Sequence, residues 1–402
     1  MRPMITVVGW DGSELSARAV ERLRAARLVI GPDAVIGRLA LTAPTVADTR
    51  LLETLDEHLE QGEGPAVVLA EGDPGFFGVV RRLRAHGLKP DVLPATSLIT
   101  RAFACAGLNW EDALVVAPAG PHQLNRVVNA CRAHPKVALL VAPGVGPGEI
   151  ARELAPTTPR SLIVCEDLGG PDQRVTDSRM GEATTRPWKD PDVVLVVDPL
   201  HRPKEPGWVA GAQPGPSEWA LEWAVESALP LESRLPPEVR AYVLAKLGPR
   251  LGDLVWDVGA GGGEIAVECA RLGAAVVAVE RDQDACARLR ASVLAHGVKV
   301  ALTRGQAPPA LEPLPDPDAV FVGGGRRRRR SRRCRRRPRS LVCALKTVER
   351  VSAVLDRLRE LGYRAEGSQI LAAKLALGPD GSHSLTAADP VFVVHATPAH
   401  TP

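Results

Sequence analysis

The chain has 402 residues, 45% of them hydrophobic but only 3% aromatic, and a formal net charge of +3. That length predicts two or three domains with material for sizeable cores. The charge balance excludes a generally basic protein: 11 arginines lie between residues 326 and 339, and without them +3 becomes −8. Seven cysteines are scattered without a CxxC pair or a His/Cys cluster at zinc spacing. They read as reduced, mostly buried thiols of a cytosolic protein with no metal site.

The first apolar run, "MITVVGW", starts so close to Met1 that it reads as a strand with no room for a signal peptide. No apolar run approaches the roughly 18 residues of a membrane span, so a soluble, cytoplasmic protein with no membrane partner is expected. Between residues 4 and 200, eight short Val/Leu/Ile runs alternate with stretches of helical period. They are "MITVVGW", "ARLVIGP", "PAVVLAEGDPG", "KPDVLPATS", "DALVVAPAG", "KVALLVAPG", "SLIVCEDLGG" and "DVVLVVDP". Each ends in or near Gly, Pro, Asp or Ser, the pattern of an α/β protein whose strands lead into loops at their carboxyl ends. "APAGPHQ" at 117–123 divides this half, residues 1–200, into lobes of about 1–117 and 123–200.

Residues 201–216, rich in proline and glycine, read as a linker. A second domain, 217–402, is expected to open with a helix, "SEWALEWAVESAL". "DLVWDVGAGGGEIAVECARLG" then reads as strand, turn and helix, and "AAVVAVERDQDACARLRASVLAHG" as strand and helix. Strands follow at "VKVALTRG", "DAVFVGGG" and "RSLVCAL", then a helix at 347–362 and strands near 364–375 and 390–395. This order is a doubly wound, Rossmann-like sheet.

Two glycine-bearing turns carry the chemistry. The first is Asp257-Val-Gly259-Ala-Gly261-Gly-Gly263, where a strand must turn sharply into a helix and a ligand can approach the bare backbone. The next strand ends in Glu280, where an adenosine ribose offers its hydroxyls. An S-adenosylmethionine site, a dinucleotide site and a purely structural turn all share this pattern. Asp257, suited to a cationic ligand, and the lack of GxGxxG spacing favour S-adenosylmethionine. The second turn is "LAEGDPGFFGVV", residues 69–80, where a ligand loop and a plain βα turn capped by Phe76 and Phe77 are equal readings.

Several motifs in order resemble a known family. "ITVVGWDG", "EGDPGFFG", "LPATSLITRAFACAGLNWEDA" and "CEDLGGPDQRV" resemble a tetrapyrrole methylase of the CbiE type. "PPEVRAYVLAKL", "WDVGAGGGEIAVE", "RGQAPPALEPLPDPDAVFVGGG" and "DGSHSLTAADPVFVV" resemble CbiT, a class I methyltransferase. Together they resemble the fused CobL-type family, precorrin-6Y C5,15-methyltransferase (decarboxylating), across almost the whole chain. The resemblance implies a two-lobed tetrapyrrole methylase fold followed by a Rossmann-like class I methyltransferase domain. It implies transfer of methyl groups from S-adenosylmethionine to C5 and C15 of precorrin-6B, with decarboxylation of the C12 acetate, giving precorrin-8 in cobalamin biosynthesis. By the same analogy the N-terminal domain methylates C5 and the C-terminal domain handles C15 and the loss of CO₂.

Carried over by motif, the donor contacts are Gly9, Gly72, Asp73, Pro74, Phe77, Gly78, Thr96 and Ser97 in the N-terminal domain, with the cleft near "APAGPHQ". In the C-terminal domain they are Asp257, Gly259, Gly261, Gly263 and Glu280. Arg240 and His383 are substrate candidates, set against a solvated helix-start charge and a turn cap. Leu235 departs from the pattern, since a small hydroxyl residue is expected there. The catalytic acid is not identified, and self-association is expected by analogy.

The arginine block interrupts this design. A doubly wound sheet needs a crossover helix with an apolar stripe between "DAVFVGGG" and "RSLVCAL", and Cys334 is the block's one apolar side chain apart from Pro338. A nucleic-acid grip belongs at a terminus or linker, and a solvated loop would leave one sheet face bare. A compensated frameshift fits better, because GCG-GCG alanine codons become CGG-CGG arginine codons one base out of frame. Nucleic acid is therefore disfavoured as a partner. An RNA or DNA methyltransferase, or a non-catalytic nucleic-acid binder, remains the alternative function.

Overall fold

The computed structural model describes residues 5–62, 64–200, 210, 235–323, 337–377, 379–387 and 389–399. The expected linker apart from residue 210, the helix at 217–229 and all but the last three residues of the arginine block lie outside the described residues. The chain divides into two compact units, one comprising 1–121, 136–155 and 160–212, the other 122–135, 156–159 and 213–402.

The first unit holds two five-stranded sheets. Strands β1 (Ile5–Trp10), β2 (Leu28–Gly31), β3 (Thr45–Ala47), β4 (Ala66–Glu71) and β5 (Asp91–Leu93) form a parallel sheet in the order β3-β2-β4-β1-β5. Its apolar runs bury both faces. Val7, Ile30 and Val68 meet α3 (Leu51–Gln61) and α4 (Val79–Ala85), while Val8, Val29 and Leu69 face α1 (Ala17–Ala25) and α2 (Asp33–Ile36). Each such side chain contributes roughly 1.5–3 kcal/mol when removed from water. Non-alternating Val/Leu runs make sense only in a sheet covered on two sides.

The second sheet contains β6 (Leu114–Val116), β7 (Lys136–Leu140), β8 (Ser161–Glu166), β9 (Arg174–Arg179) and β10 (Pro191–Val197), in the order β6-β7-β10-β8-β9. It is mixed, with β10 antiparallel to β7 and β8. Helix α5 (Leu98–Ala106) packs Ile99, Ala102 and Phe103 against Ala138, Cys165, Val193 and Leu195 of this sheet. The lobes therefore part near Ala95–Ser97, and the boundary expected at 117–123 falls inside the second lobe. The misleading signal was the proline and glycine of "APAGPHQ", which end β6 rather than a lobe. Strands β3 and β9 were also not anticipated; β9, "RVTDSR", is an edge strand whose polar, mostly exposed residues give no apolar run. Helices α7 (Pro147–Leu154) and α8 (Met180–Thr185) fill connections of this sheet, while α6 (Leu124–Ala133), between β6 and β7 in the chain, belongs to the second unit.

In the second unit, α9 (Pro237–Leu247) precedes β11 (Leu254–Val258), α10 (Glu264–Arg271), β12 (Ala275–Glu280), α11 (Gln283–Ala295), β13 (Ala301–Arg304) and β14 (Ala319–Val322). Then come β15 (Ser340–Leu345), α12 (Glu349–Glu360), β16 (Tyr363–Ile370), the hairpin β17 (Ala373–Leu377) and β18 (His383–Ala387), and β19 (Val391–Pro398). The seven-stranded order β13-β12-β11-β14-β15-β19-β16 reverses direction at β11/β14, with β19 antiparallel to both neighbours. Along β11 the faces alternate: Val255 joins Ile265, Leu289 and α9, whereas Leu254, Trp256 and Val258 pack on the other side. The α/β, Rossmann-like reading of this domain is the fold observed. One strand was expected across 364–375; the chain instead ends β16 at Ile370 and starts the separate hairpin at Ala373. Among the described residues no helix is long and apolar enough to cross a membrane, and four of the six described cysteines are buried.

Candidate functional site

Ligands of open α/β sheets bind beyond the carboxyl ends of the strands, where the strand order reverses. At that point, between β11 and β14, a solvent-open cleft is lined by Leu235, Asp257, Gly259, Ala260, Gly261, Gly262, Glu264, Ile265, Arg288, Phe321 and Gly323. The glycine turn makes the floor. Gly259, Gly261 and Gly263 all have positive φ, at 77°, 57° and 89°, a region costly for side chains with a Cβ. A Cβ on Gly261 would point into open space, whereas one on Gly263 would strike Leu289 at 2.9 Å. Gly261 thus leaves room for a ligand, and Gly263 serves the packing of α11.

Asp257, at the end of β11, is 1% exposed. Neither carboxylate oxygen has a hydrogen-bond partner of good geometry. Burial pushes its pKa up to about 7, against weak help from the Ala266 N–H, and Glu264 and Glu280 push the same way. An orphaned buried carboxyl beside a cleft is a costly arrangement that a cationic ligand would relieve. Glu280 is used differently. Its Oε2 accepts from the Gly261 N–H at 2.9 Å and its Oε1 from the N–H groups of Arg281 and Asp282 at 2.7 and 2.9 Å. It braces the turn and is not among the residues lining the cleft.

So the structure brings Asp257, Gly259 and Gly261 to one cleft and leaves Gly263 and Glu280 behind it. It adds Glu264, Arg288, Phe321 and Gly323, which sequence reasoning missed. Gly323, the first glycine of "GGG", was legible as a strand-end loop; Arg288 was not, because a charge inside a helix gives no periodic signal. Arg240 is buried at 6% exposure on α9, which overturns the reading as a solvated charge. His383 stands at the exposed start of β18, beside a turn in which Asp380 accepts from the Ser382 N–H and hydroxyl. That turn cap does not involve the imidazole.

In the first unit, the loops after β1, β4 and β5 converge. A Cβ on Gly9 would lie 2.6 Å from the Gly72 carbonyl oxygen, 2.8 Å from Pro74 and 2.9 Å from the Ala95 nitrogen. Gly78 is equally confined, 2.4 Å from the Pro74 carbonyl oxygen. Asp73 Oδ1 accepts from the Gly75 N–H at 2.8 Å, fixing the turn. Ser97 caps α5 by accepting from the Thr100 N–H at 3.1 Å. Phe77 has φ +55° and an exposed ring, packed edge-on to Phe76 with centroids 4.9 Å apart. A phenylalanine in the left-handed region is strained, a feature that concentrates at functional loops.

Asp11, which ties the loop after β1 to the loop after β5, was not anticipated. Its carboxylate accepts from the Ser13 N–H and the Thr96 N–H at 3.1 and 3.3 Å and lies 3.6 Å from Arg101. Burial raises its pKa, but the hydrogen bonds from Ser13 and Thr96 and the Arg101 charge outweigh that and hold it at about 2. Asp192 goes the other way, pushed up to about 7 by burial against the Leu168 N–H, with Glu71, Asp190 and Asp167 adding like charge. Among the described residues no cluster could hold a metal ion.

Residues 8–184 match the family model described as tetrapyrrole (corrin/porphyrin) methylases, and residues 236–392 match the precorrin methyltransferase domain. A precorrin-6Y C(5,15)-methyltransferase [decarboxylating] from Sinorhizobium sp is 30% identical over 349 residues, covering 80% of this chain and 79% of its own. The protein of the same name from Mycobacterium tuberculosis is 31% identical over 343 residues, 80% of each chain. Among solved structures, the precorrin-6Y C5,15-methyltransferase of Geobacter metallireducens is 24% identical, at a TM-score of 0.38, over 42% of this chain and 91% of that one.

Proposed function

The chain belongs to the family of precorrin-6Y C5,15-methyltransferases (decarboxylating), and from that premise we propose that its two units carry separate S-adenosylmethionine sites serving two methylations of one tetrapyrrole. It is a methyltransferase of cobalamin biosynthesis. The finer reading is methylation of precorrin-6B at C5 by the N-terminal domain and at C15 by the C-terminal domain, with loss of CO₂ from the C12 acetate to give precorrin-8. In domain terms this assigns 1–200 to the first activity and 217–402 to the second. The observation that carries it is the buried Asp257, whose carboxylate has no hydrogen bond of good geometry, beneath a glycine cradle with space above Gly261.

When bound, the donor supplies an electrophilic methyl group on a positively charged sulfur. The residues of this chain orient and shield. Asp257 places a negative charge at the floor of the cleft, the Gly259–Gly262 backbone lets the ligand lie close, and Phe321 gives it an apolar wall. In the first unit Gly9, Gly72, Asp73, Pro74, Phe77, Gly78, Thr96 and Ser97 are the proposed donor contacts, with Asp11 tying the loop of Gly9 to that of Thr96. The meso carbons of a reduced macrocycle are enamine-like nucleophiles, so alignment of donor and acceptor does most of the work.

Incubation of the full chain with precorrin-6B and S-adenosylmethionine tests this reading. The expected mass change is a gain of two methyl groups and loss of one CO₂. Product methylated only at C5 would mean that the C-terminal cleft is inactive, and unchanged substrate would refute the proposal. Self-association belongs to the same reading, supported by the exposed Leu375, Leu377 and Leu385 of the β17–β18 hairpin. Sedimentation velocity showing a monomer at all concentrations would remove that part.

A further inference from the structure

Arg288 is the one cation among the described residues lining the C-terminal cleft. Its position is firmly set. On the next turn of α11, Ser292 Oγ donates to the Gly262 carbonyl at 3.0 Å and to the Arg288 carbonyl at 3.1 Å. Leu289 packs beneath Gly263. Residues four apart share a helix face, and side chains tilt toward the helix N-terminus. The contacts of Leu289 and Ser292 with the turn therefore hold Arg288 beside it, where its side chain forms part of the cleft wall.

Among the described residues the guanidinium has no partner. Its Nε is shut off from solvent and unbonded, and among the described residues the group makes no ion pair or side-chain hydrogen bond. Acidic Glu264 and Asp257 line the same cleft, yet Arg288 pairs with neither. A half-dry guanidinium with free donors is expensive to maintain unless something planar and anionic completes it. Its fork of N–H groups matches a carboxylate.

We propose that Arg288 is the carboxylate-binding residue of the C-terminal cleft. This rests on the reading of the cleft as a methyl-donor site. With Asp257 on the floor and Arg288 on the wall, the cleft offers an anion and a cation to one ligand, the charge pattern complementary to an α-amino acid head group. The amino-acid end of the methyl donor has that pattern, and an acidic side chain of the tetrapyrrole supplies the same carboxylate chemistry.

The test is calorimetry on the full chain and its Arg288→Gln and Arg288→Lys variants. S-adenosylhomocysteine carries the carboxylate, and 5′-methylthioadenosine keeps the adenosine and sulfur but lacks it. If the donor supplies the carboxylate, R288Q weakens one of two S-adenosylhomocysteine sites at least tenfold and leaves methylthioadenosine unchanged, with partial recovery in R288K. If the tetrapyrrole supplies it, S-adenosylhomocysteine binding is unchanged, while KM for C15 methylation rises at least tenfold with kcat retained. Equal weakening of both adenosine ligands would reveal a merely structural residue, and no change in either arm would also overturn the proposal. A wild-type chain with fewer than two S-adenosylhomocysteine sites would sink the donor reading instead, and Arg288 would then be judged on the substrate arm.

Discussion

At the residue scale, the C-terminal cleft depends on two acidic side chains with opposite assignments. Glu280 spends its carboxylate on three backbone N–H groups of the chain beside it, whereas Asp257 has only the Ala266 N–H near it and no hydrogen bond of good geometry. Both were visible in sequence as acids at strand ends, but only the fold distinguishes a brace from a reserve of charge. The difference has a pH signature. Folded Asp257 holds its proton up to about pH 7, and the unfolded side chain only to about pH 4. The native state therefore binds more protons in that window, and the stability from this group is full below pH 4 and is lost as pH rises toward 7. Asp257→Asn cannot titrate, so urea unfolding at pH 5 and pH 8 should show the variant gaining on the parent at the higher pH. A difference that is flat across that range would contradict the buried, raised carboxyl.

At the element scale, β14 and β15 are parallel neighbours, with Ala319 opposite Ser340 and Val322 opposite Cys343. Such a pair requires a crossover connection, usually helical, and the chain between them is the arginine block. Its last arginine is part of the fold. Arg339 donates to the Leu247 carbonyl at 3.1 Å and to that of Gly248, closing the end of α9, and it pairs with buried Asp253. Pro338 is buried, and its carbonyl accepts from the Tyr363 hydroxyl at 3.4 Å. Chain with a structural role thus resumes by Pro338, at the end of the arginine block. Arg339→Ala should cost about 2 kcal/mol in urea unfolding, reduced from the value for a fully buried pair because the arginine is partly exposed. An unchanged midpoint would show that Asp253 and the α9 carbonyls find other partners. Resequencing, with translation of the neighbouring frames, should uncover an alanine-rich helix with an apolar stripe; its absence from both frames would end the frameshift explanation.

At the scale of the whole molecule, two units with unrelated sheet orders each present a glycine-built loop cluster at strand carboxyl ends. If these are separate donor sites, damage to one spares the other. Gly9→Ala forces a Cβ against backbone on more than one side. It should destabilise the first unit by roughly 2 kcal/mol through overpacking and abolish one of two S-adenosylhomocysteine sites in calorimetry. Loss of both sites would show that the units do not bind independently.

The sequence by itself determined the α/β alternation, the sheet-covered Val/Leu runs, both glycine turns and the two-domain order, because periodicity and turn chemistry are local properties written in neighbouring residues. Even the anomaly at 326–339 was legible, since a crossover needs an apolar stripe and the block has none. Tertiary structure alone decided the lobe boundary, because α5 chooses its sheet by packing Phe103 and not by any local signal. It also decided that Asp11 ties the loop after β1 to the loop after β5, that Arg240 is buried, and that Arg288 reaches the cleft. Each of these depends on residues far apart in the chain approaching within a few ångströms, and neither a charge nor a glycine carries in its own identity the partner that the fold will bring to it.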